Sequence, residues 1–322
     1  MSRNGQRRKG VGARGPVAFV LSGGGSLGAV QVGMLQALTE SGIRPDMLIG
    51  TSVGAMNAAW MAGQPDHDGA VKLGEIWLGL RRHHIFPLSP WAGARGLFGQ
   101  SNHFISNAGL RSVLERHLAY ELLEDAAVPV HIITTDLKTG RAVTISAGPA
   151  IPALLASTAI PGVFPPVTIG RRDLVDGAVA NHTPIAAAIE LGAEEIFVLP
   201  VGYPWLRQEP TNALGMALYA LARFVEQKLD AEVAANGRRA AIHVLPTMDL
   251  PAASPADFRH TRELIARGHK WARRHLGPTP AIQPEKQSAL RGLRLEPAPV
   301  RAAALHTPKT EARTVGLQFV RL

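Results

Sequence analysis

The sequence contains no cysteine. It can therefore form neither disulfides nor thiolate metal sites, and nothing in it favours an oxidising compartment, so we predict a cytoplasmic protein. Aromatic residues are also scarce, at 5% of 322 residues. Proteins that bind single-stranded nucleic acid interleave aromatic with basic side chains, and neither that pattern nor a nucleic-acid-binding motif is present. The lack of cysteine argues against a disulfide-stabilised scaffold, and the scarcity of aromatic residues argues against a nucleic-acid partner.

Long apolar segments without helix breakers are missing as well. The uncharged run from Ala142 to Gly170 is interrupted by prolines, among them Pro152, Pro161 and Pro165. A membrane span needs about 20 apolar residues in a helix, and prolines at this density break one. We predict that the run is buried loop and pocket lining. Near the N-terminus, the apolar stretch Val17–Leu21 is shorter than the roughly 7–15 residues of a secretory signal, so none is predicted.

Positive charge is in excess. The formal net charge is +9 and the isoelectric point is near 10.4, in a chain that is 46% hydrophobic. This charge favours an anionic partner, and we predict peripheral contact with an anionic membrane surface. The alternative is that Arg and Lys only solvate helix faces. The hydrophobic content is sufficient for the core of one large α/β domain or two smaller ones.

The pattern of residues divides the chain into four segments. Residues 1–15 are basic and glycine-rich, which predicts disorder. Residues 16–205 carry alternating strand and helix patterns and all the motifs considered below. Residues 206–277 are predicted to form a helical and strand extension packed on that domain. Residues 278–322 are predicted to be a flexible tail, in which 315–320 is the one stretch apolar enough to dock.

Two strand–turn–helix units open the main domain. Val17–Leu21 leads into a glycine-rich turn and a helical pattern that ends at Gly42, and a strand from Met47 to Ile49 leads into a helix from Ala55 to Ala62. Such repetition indicates parallel strands with crossover helices. A loop at 81–107, rich in proline, glycine and aromatic residues, is predicted to be a lid. Helices are further predicted at 110–118, 184–191, 213–235 and 255–276, strands at 195–201 and 241–245, and hairpins at 130–146 and 167–175.

The turn after the second strand reads Gly50-Thr51-Ser52-Val53-Gly54. It matches the G-x-S-x-G nucleophile elbow, in which a strained strand-to-helix turn exposes the serine hydroxyl because the flanking glycines leave room. Ser52 would then lie at a helix N-terminus, where unpaired N–H groups favour negative charge. The motif is short, and its weight comes from the apolar strand before it and the helix after it.

The turn after the first strand reads Gly23-Gly24-Gly25-Ser26-Leu27-Gly28. In acyl transfer such a loop can direct backbone N–H groups at the developing oxyanion, and one such donor is worth roughly 3–4 kcal/mol. Three of its glycines also satisfy G-x-G-x-x-G, the dinucleotide-binding fingerprint. That fingerprint requires an acidic residue at the end of the second strand, whereas Asp46 precedes the strand, so the oxyanion interpretation is favoured.

A third candidate is Asp176, in Asp176-Gly177-Ala178 at the end of the second hairpin. Taken alone, it reads as an ordinary turn aspartate. Together with the glycine-rich loop and the G-x-S-x-G turn, in this order, it resembles the patatin-like phospholipase family. The segment from Ala156 to Pro166 is similar to a further family block, A-S-x-x-x-P-x-x-F-P-P. The resemblance extends from Val17 to about Gly202.

The resemblance implies a three-layer α/β/α sandwich with a mainly parallel central sheet. It implies a Ser52–Asp176 catalytic dyad, an oxyanion hole formed by Gly23, Gly24, Gly25 and Gly28, and support from Gly50, Gly54 and Gly177. The expected activity is hydrolysis of phospholipid or other lipid esters through an acyl-enzyme, without metal or cofactor. One departure is Leu27, where the family often has Arg or Lys.

Two alternatives stay open. A Ser-His-Asp esterase of small esters would need a histidine base, for which His182, His243, His260 and His269 are candidates. His182 is close to Asp176 in sequence, but it precedes a predicted helix, where we expect an exposed or lightly packed side chain. A catalytically silent lipid- or nucleotide-binding scaffold is the other alternative.

Overall fold

The computed structural model describes residues 15–86, 103–202, 213–246, 255–276 and 319–320. Within these residues one mixed β-sheet has helices on both faces, which confirms the predicted three-layer α/β/α architecture. The strands are β1 (Val17–Leu21), β2 (Met47–Thr51), β3 (Val130–Asp136), β4 (Ala142–Ile145), β5 (Val167–Ile169), β6 (Arg172–Asp176), β7 (Glu195–Leu199), β8 (Ala241–Val244) and β9 (Phe319–Val320).

The sheet order is β5-β6-β3-β2-β1-β7-β8, with β4 paired to β3 and to β9. The central strands β3, β2, β1, β7 and β8 are parallel to their neighbours in this series. The strands β4, β5 and β6 join as antiparallel hairpin partners at one side. Because Ser52 follows β2 and Gly23 follows the neighbouring strand β1, the two glycine-containing turns meet at one edge of the sheet.

The helices of the described residues are α1 (Ala29–Glu40), α2 (Val53–Gly63), α3 (His67–Gly79), α4 (Arg82–Ile85), α5 (Ala108–His117), α6 (Ala150–Ser157), α7 (Ile185–Glu190), α8 (Ala213–Asn236) and α9 (Thr261–Leu276). Short 3-10 turns cover Gly25–Gly28, Leu123–Asp125 and Gly177–Val179.

Burial along β1 explains the layered arrangement. All five of its side chains are buried, as expected of a central parallel strand covered on both faces. Val17, Phe19 and Leu21 pack into a core that includes α1 and α2. Ala18 and Val20 face a second core formed with α7 and flanked by α8. Strand β1 therefore separates two helical layers and positions the glycine-rich turn at its end.

Three sequence-based assignments are corrected. The uncharged run after β4 is not loop throughout, because α6 occupies Ala150–Ser157, with Pro152 in the first turn, where its missing N–H costs nothing. The closing helix begins at Thr261 rather than at residue 255. Helix α3 was not predicted, although Asp66 caps it by accepting from the Gly69 N–H at 2.9 Å.

Parts of the predicted lid, 87–102, and most of the predicted head and tail, 1–14 and 277–318, lie outside the described residues. At the end of the chain, β9 pairs in parallel with β4, with Phe319 opposite Thr144. Within the described ranges, no helix combines the length and apolar character that a membrane span requires.

Candidate active site

Ser52 occupies a strained turn between β2 and α2. Its φ of 55° and ψ of −125° make it the one non-glycine residue with positive φ in the described part of the chain. The flanking glycines are sterically required, since a Cβ on Gly50 would overlap the Gly54 carbonyl and a Cβ on Gly54 would overlap the Leu21 carbonyl. The turn thus packs directly on the end of β1, and the serine hydroxyl projects from it.

The Ser52 hydroxyl donates to Oδ2 of Asp176 at 2.7 Å. Asp176 ends β6, and its other oxygen, Oδ1, accepts from the Ala178 N–H at 2.9 Å. Burial raises the pKa of Asp176 from its ordinary value of 3.8 to about 6, against the lowering effect of these two hydrogen bonds. The carboxylate is therefore a stronger base than an exposed aspartate, and it accepts the hydrogen bond of the Ser52 hydroxyl.

Ser157 forms a hydrogen bond with the backbone of the turn that carries Ser52. Its hydroxyl accepts from the Ser52 N–H at 2.9 Å and donates to the Ile133 carbonyl at 2.6 Å. The residue ends α6 and belongs to the block that begins at Ala156. The sequence pattern of that block therefore has a physical role, because its serine satisfies a buried donor that the strained turn leaves without a helical partner.

The glycine-rich loop lies against Ser52. A Cβ built on Gly23 would be 3.3 Å from the Ser52 Cβ, so this loop and Ser52 are in contact. Gly25 lies against Pro255, whose carbonyl accepts from the Ser26 N–H at 2.7 Å. Gly28 packs against the side chains of Val53 and Trp77. Leu27 is fully buried, so where the family often has a cation this chain has a core residue.

A buried amide network holds the two ends of this loop. Gln31 donates to the carbonyls of Ser22 and Leu199 at 2.9 and 2.8 Å. Asn57 donates to the Gly28 carbonyl at 3.0 Å and to Gln31 Oε1 at 2.9 Å. Trp77 in turn donates from Nε1 to Asn57 Oδ1 at 2.7 Å. The sequence analysis did not identify Gln31, Asn57 or Trp77 as residues that support the site. The signal that could have identified Gln31 is a polar glutamine within the apolar pattern of α1.

His182 is buried, which corrects the expectation of an exposed or lightly packed side chain. Its Nε2 would lie 3.2 Å from a Cβ on Gly23, beside the loop that contacts Ser52. Burial lowers the pKa of His182 to about 3, outweighing a hydrogen bond with the Gly23 main chain that raises it. The ring is therefore neutral, and it contacts the loop, whereas the Ser52 hydroxyl is directed at Asp176.

The other candidate histidines contact carboxylates elsewhere. His243 lies 3.3 Å from Glu195, His260 lies 3.5 Å from Glu263, and His269 lies 2.7 Å from Glu40. Within the described ranges, no cluster of three or more His, Asp or Glu side chains is arranged to hold a metal ion.

An apolar cleft opens beside Ser52. The cleft, together with the solvent-open space at its mouth, has a volume of about 460 Å³. Phe86 and Phe164 stack on one part of its wall, with ring centroids 5.5 Å apart, and Trp77 and Phe258 stack on another, 6.1 Å apart. The remaining lining residues are Gly25, Ser26, Ser52, Val53, Met56, Leu80, Ile85, Leu110, Thr158 and Ile160.

The order of motifs and the site geometry agree with a known family. A family model for patatin-like phospholipase matches residues 19–189. The chain belongs to the patatin-like phospholipase family. Among the similar proteins is patatin-like phospholipase domain-containing protein 7 from Rattus norvegicus, 28% identical over 188 residues, or 58% of this chain and 14% of that protein. Lysophospholipase NTE1 from Mycosarcoma maydis is 26% identical over 194 residues, 58% of this chain and 10% of that protein. The chain thus spans a small part of the length of these relatives.

Two solved structures are similar in fold. VipD from Legionella pneumophila is 15% identical, with a TM-score of 0.45 over 82% of this chain and 67% of that chain. Human GIVD cytosolic phospholipase A2 is 12% identical, with a TM-score of 0.48 over 81% of this chain and 58% of that chain.

The raised pKa of Asp176 predicts how activity depends on pH. Because Asp176 must be ionised to accept the serine proton, kcat/KM for an uncharged ester should fall tenfold per pH unit below about pH 6 and level off above it. The pH–rate profile, measured over a range in which the protein stays folded, checks this. An ordinary aspartate would keep its activity to about pH 4, and that outcome would contradict the assignment.

Substitution distinguishes Asp176 from His182 as the base. We expect Asp176→Asn to lower kcat by at least ~10²-fold, because it keeps the shape but removes the proton acceptor. His182→Ala should stay within about tenfold of wild type, since it removes a contact with the loop and leaves the dyad intact.

Thermal unfolding provides the control for both variants. Burial raises the pKa of Asp176, so ionisation costs folding stability as the pH rises towards 6, and Asp176→Asn should unfold no earlier than wild type at neutral pH. An inactive His182→Ala beside a nearly normal Asp176→Asn would refute the dyad.

Proposed function

We propose that this protein is a serine lipid acyl hydrolase of the phospholipase A or lysophospholipase type. The observation that carries the proposal is the 2.7 Å hydrogen bond from Ser52 to a buried Asp176 beside an apolar cleft. Membership of the family supports it, because the similar proteins are named as phospholipase domain-containing proteins and a lysophospholipase.

In the proposed mechanism, Asp176 accepts the Ser52 proton while Oγ attacks the ester carbonyl. The carbonyl oxygen becomes negative next to the glycine-rich loop, where the main chain of Gly23–Gly25 supplies N–H donors, and the dipole of α2 adds favourable charge at its N-terminus. The alcohol leaves with the proton returned by Asp176. Water, activated by the same carboxylate, then attacks the acyl-enzyme and releases the fatty acid, so both proton transfers use one residue.

The stabilising role of the loop depends on its rigidity. The amide network at its two ends and the Ser26–Pro255 hydrogen bond hold the peptide units before substrate arrives. Preorganised donors stabilise a transition state without reorientation cost during the reaction. This supports an acyl-transfer role over a nucleotide-binding role for the same glycines.

Reaction with a fluorophosphonate tests the proposal, and the cleft predicts its acyl preference. Wild type should be labelled on Ser52, whereas Ser52→Ala should not.

Octanoyl esters should have higher kcat/KM than acetyl esters, because each methylene buried in the cleft contributes up to ~0.8 kcal/mol. Absence of label would refute the serine hydrolase, and a flat or inverted chain-length profile would favour a small-ester esterase instead.

A basic cluster lies next to the cleft and supports contact with anionic lipid. This α4 basic cluster consists of Arg81, Arg82, His83 and His84, directly before the lining residues Ile85 and Phe86. The sequence has no Asp or Glu from Ile76 to Leu114. Burial and the neighbouring His83, Arg116 and Arg81 lower the pKa of His84, as expected where positive charges crowd together. A phosphate-bearing surface would relieve that repulsion.

We therefore expect salt-sensitive binding to phosphatidylglycerol vesicles, weakening markedly between low and physiological salt. Arg82→Glu should weaken binding at low salt. Arg238→Glu is the matched control, because Arg238 precedes β8 and so lies at the sheet edge opposite Ser52. Vesicle co-sedimentation measures both. If Arg82→Glu and Arg238→Glu weakened vesicle binding equally, or if binding did not depend on salt concentration, the α4 basic cluster would have no specific role in membrane contact.

A further inference from the structure

Residues far beyond the family-matched segment reach the candidate site. The family model ends at residue 189, yet Pro255 and Phe258, which precede α9, contact the glycine-rich loop and the cleft. The Pro255 carbonyl accepts from the Ser26 N–H at 2.7 Å. Phe258 lines the cleft together with Ser52 and is 9% exposed. Residues beyond the family-matched segment therefore form part of the cleft wall.

Phe258 packs against Trp77, whose side chain is held in place by a buried hydrogen-bond network. Its ring stacks on Trp77 with an interplanar angle of 27°. The Trp77 indole is fixed by its 2.7 Å hydrogen bond to Asn57, which is bonded in turn to Gln31. All three side chains of this network are buried. Because a fully bonded buried network resists rearrangement, the space next to Phe258 is set by the size of the Phe258 side chain itself.

Helix α9 is docked closely enough to hold Phe258 in place. It crosses α1 where a Cβ on Gly33 would overlap the Ile265 carbonyl and one on Gly268 would overlap the Val30 carbonyl. Leu264 is fully buried at this contact.

Two polar contacts also hold α9 and Phe258, which precedes it, in place. His269 lies 2.7 Å from Glu40, at the end of α1. At the start of α9, the Thr261 hydroxyl donates to the Phe258 carbonyl at 2.8 Å, which sets the backbone of Phe258 relative to the helix.

From these contacts we propose that Phe258 determines the acyl-chain specificity of this protein by limiting the size of the acyl group that the cleft accepts. The inference rests on the proposed lipid hydrolase function and deepens it. The ring stacks on Trp77 and lines the same apolar cleft as Ser26 and Ser52, so apolar atoms of a substrate in that cleft would contact it. Removing the ring enlarges the cleft for longer chains, and enlarging the ring shortens the chain that fits.

The test compares palmitoyl and octanoyl esters. Phe258→Ala should raise the palmitoyl-to-octanoyl ratio of kcat/KM by at least ~fourfold, about the worth of one further buried methylene. Phe258→Trp should lower the ratio. Trp271→Ala is the matched control, because Trp271 is an aromatic residue of α9 that is 40% exposed, and it should leave the ratio unchanged.

A merely structural role for Phe258 would lower both rates by the same factor and would not give shifts of opposite sign in the two variants. That outcome overturns the proposal while the hydrolase function stands.

A second measurement uses binding affinity and does not require the enzyme to hydrolyse a substrate. In a Ser52→Ala background, Phe258→Ala should bind cis-parinaric acid, an unbranched long-chain fluorescent fatty acid, at least ~fourfold more tightly. An unchanged or weaker affinity would overturn the proposal even if the wild type hydrolyses no ester.

Discussion

The site depends on one backbone constraint, the positive φ of Ser52. A non-glycine residue in such a conformation costs about 1–3 kcal/mol, which the surrounding structure must offset. Here the offset comes from the packing of Gly50 and Gly54 against neighbouring backbone and from the Ser157 hydroxyl on the Ser52 N–H. The same turn directs Oγ at Asp176 and places the start of α2 beneath it. Relaxation of the turn would therefore move the Ser52 hydroxyl and the N-terminus of α2 together.

Burial shifts the pKa values of Asp176 and His182 in opposite directions. It raises the pKa of Asp176 to about 6 and lowers the pKa of His182 to about 3, because a low-dielectric environment disfavours either charged form. At neutral pH, Asp176 is ionised and His182 is uncharged. The Ser52 hydroxyl therefore donates to an anionic carboxylate, and His182 lies beside the glycine-rich loop without adding a positive charge there.

The central fold was predictable because its signals are local. The apolar runs of β1 and β2, each followed by a glycine-containing turn and a helical pattern, indicated parallel strands with crossover helices. Helix α6 was missed because the prolines of the uncharged run were taken as helix breakers, although Pro152 lies in the first turn of the helix, where proline is tolerated. The burial of His182 was missed because it depends on β1 and the loop after it, which are distant in sequence and adjacent only in the fold.

Phe258 illustrates the limit of motif-based prediction most clearly. Its sequence surroundings, Asp257 and Arg259, are charged and form an ion pair at 2.7 Å, so no apolar periodicity marks it as a cleft residue. Its position follows from the docking of α9 on α1, which depends on two glycines 235 residues apart, Gly33 and Gly268. Ser52, Asp176 and the glycine-rich loop are therefore set by short motifs within the family-matched segment, whereas Phe258 is positioned by α9, which lies beyond that segment. With the proposed role of Phe258, chains with the same motifs would differ in acyl preference without any change at Ser52 or Asp176.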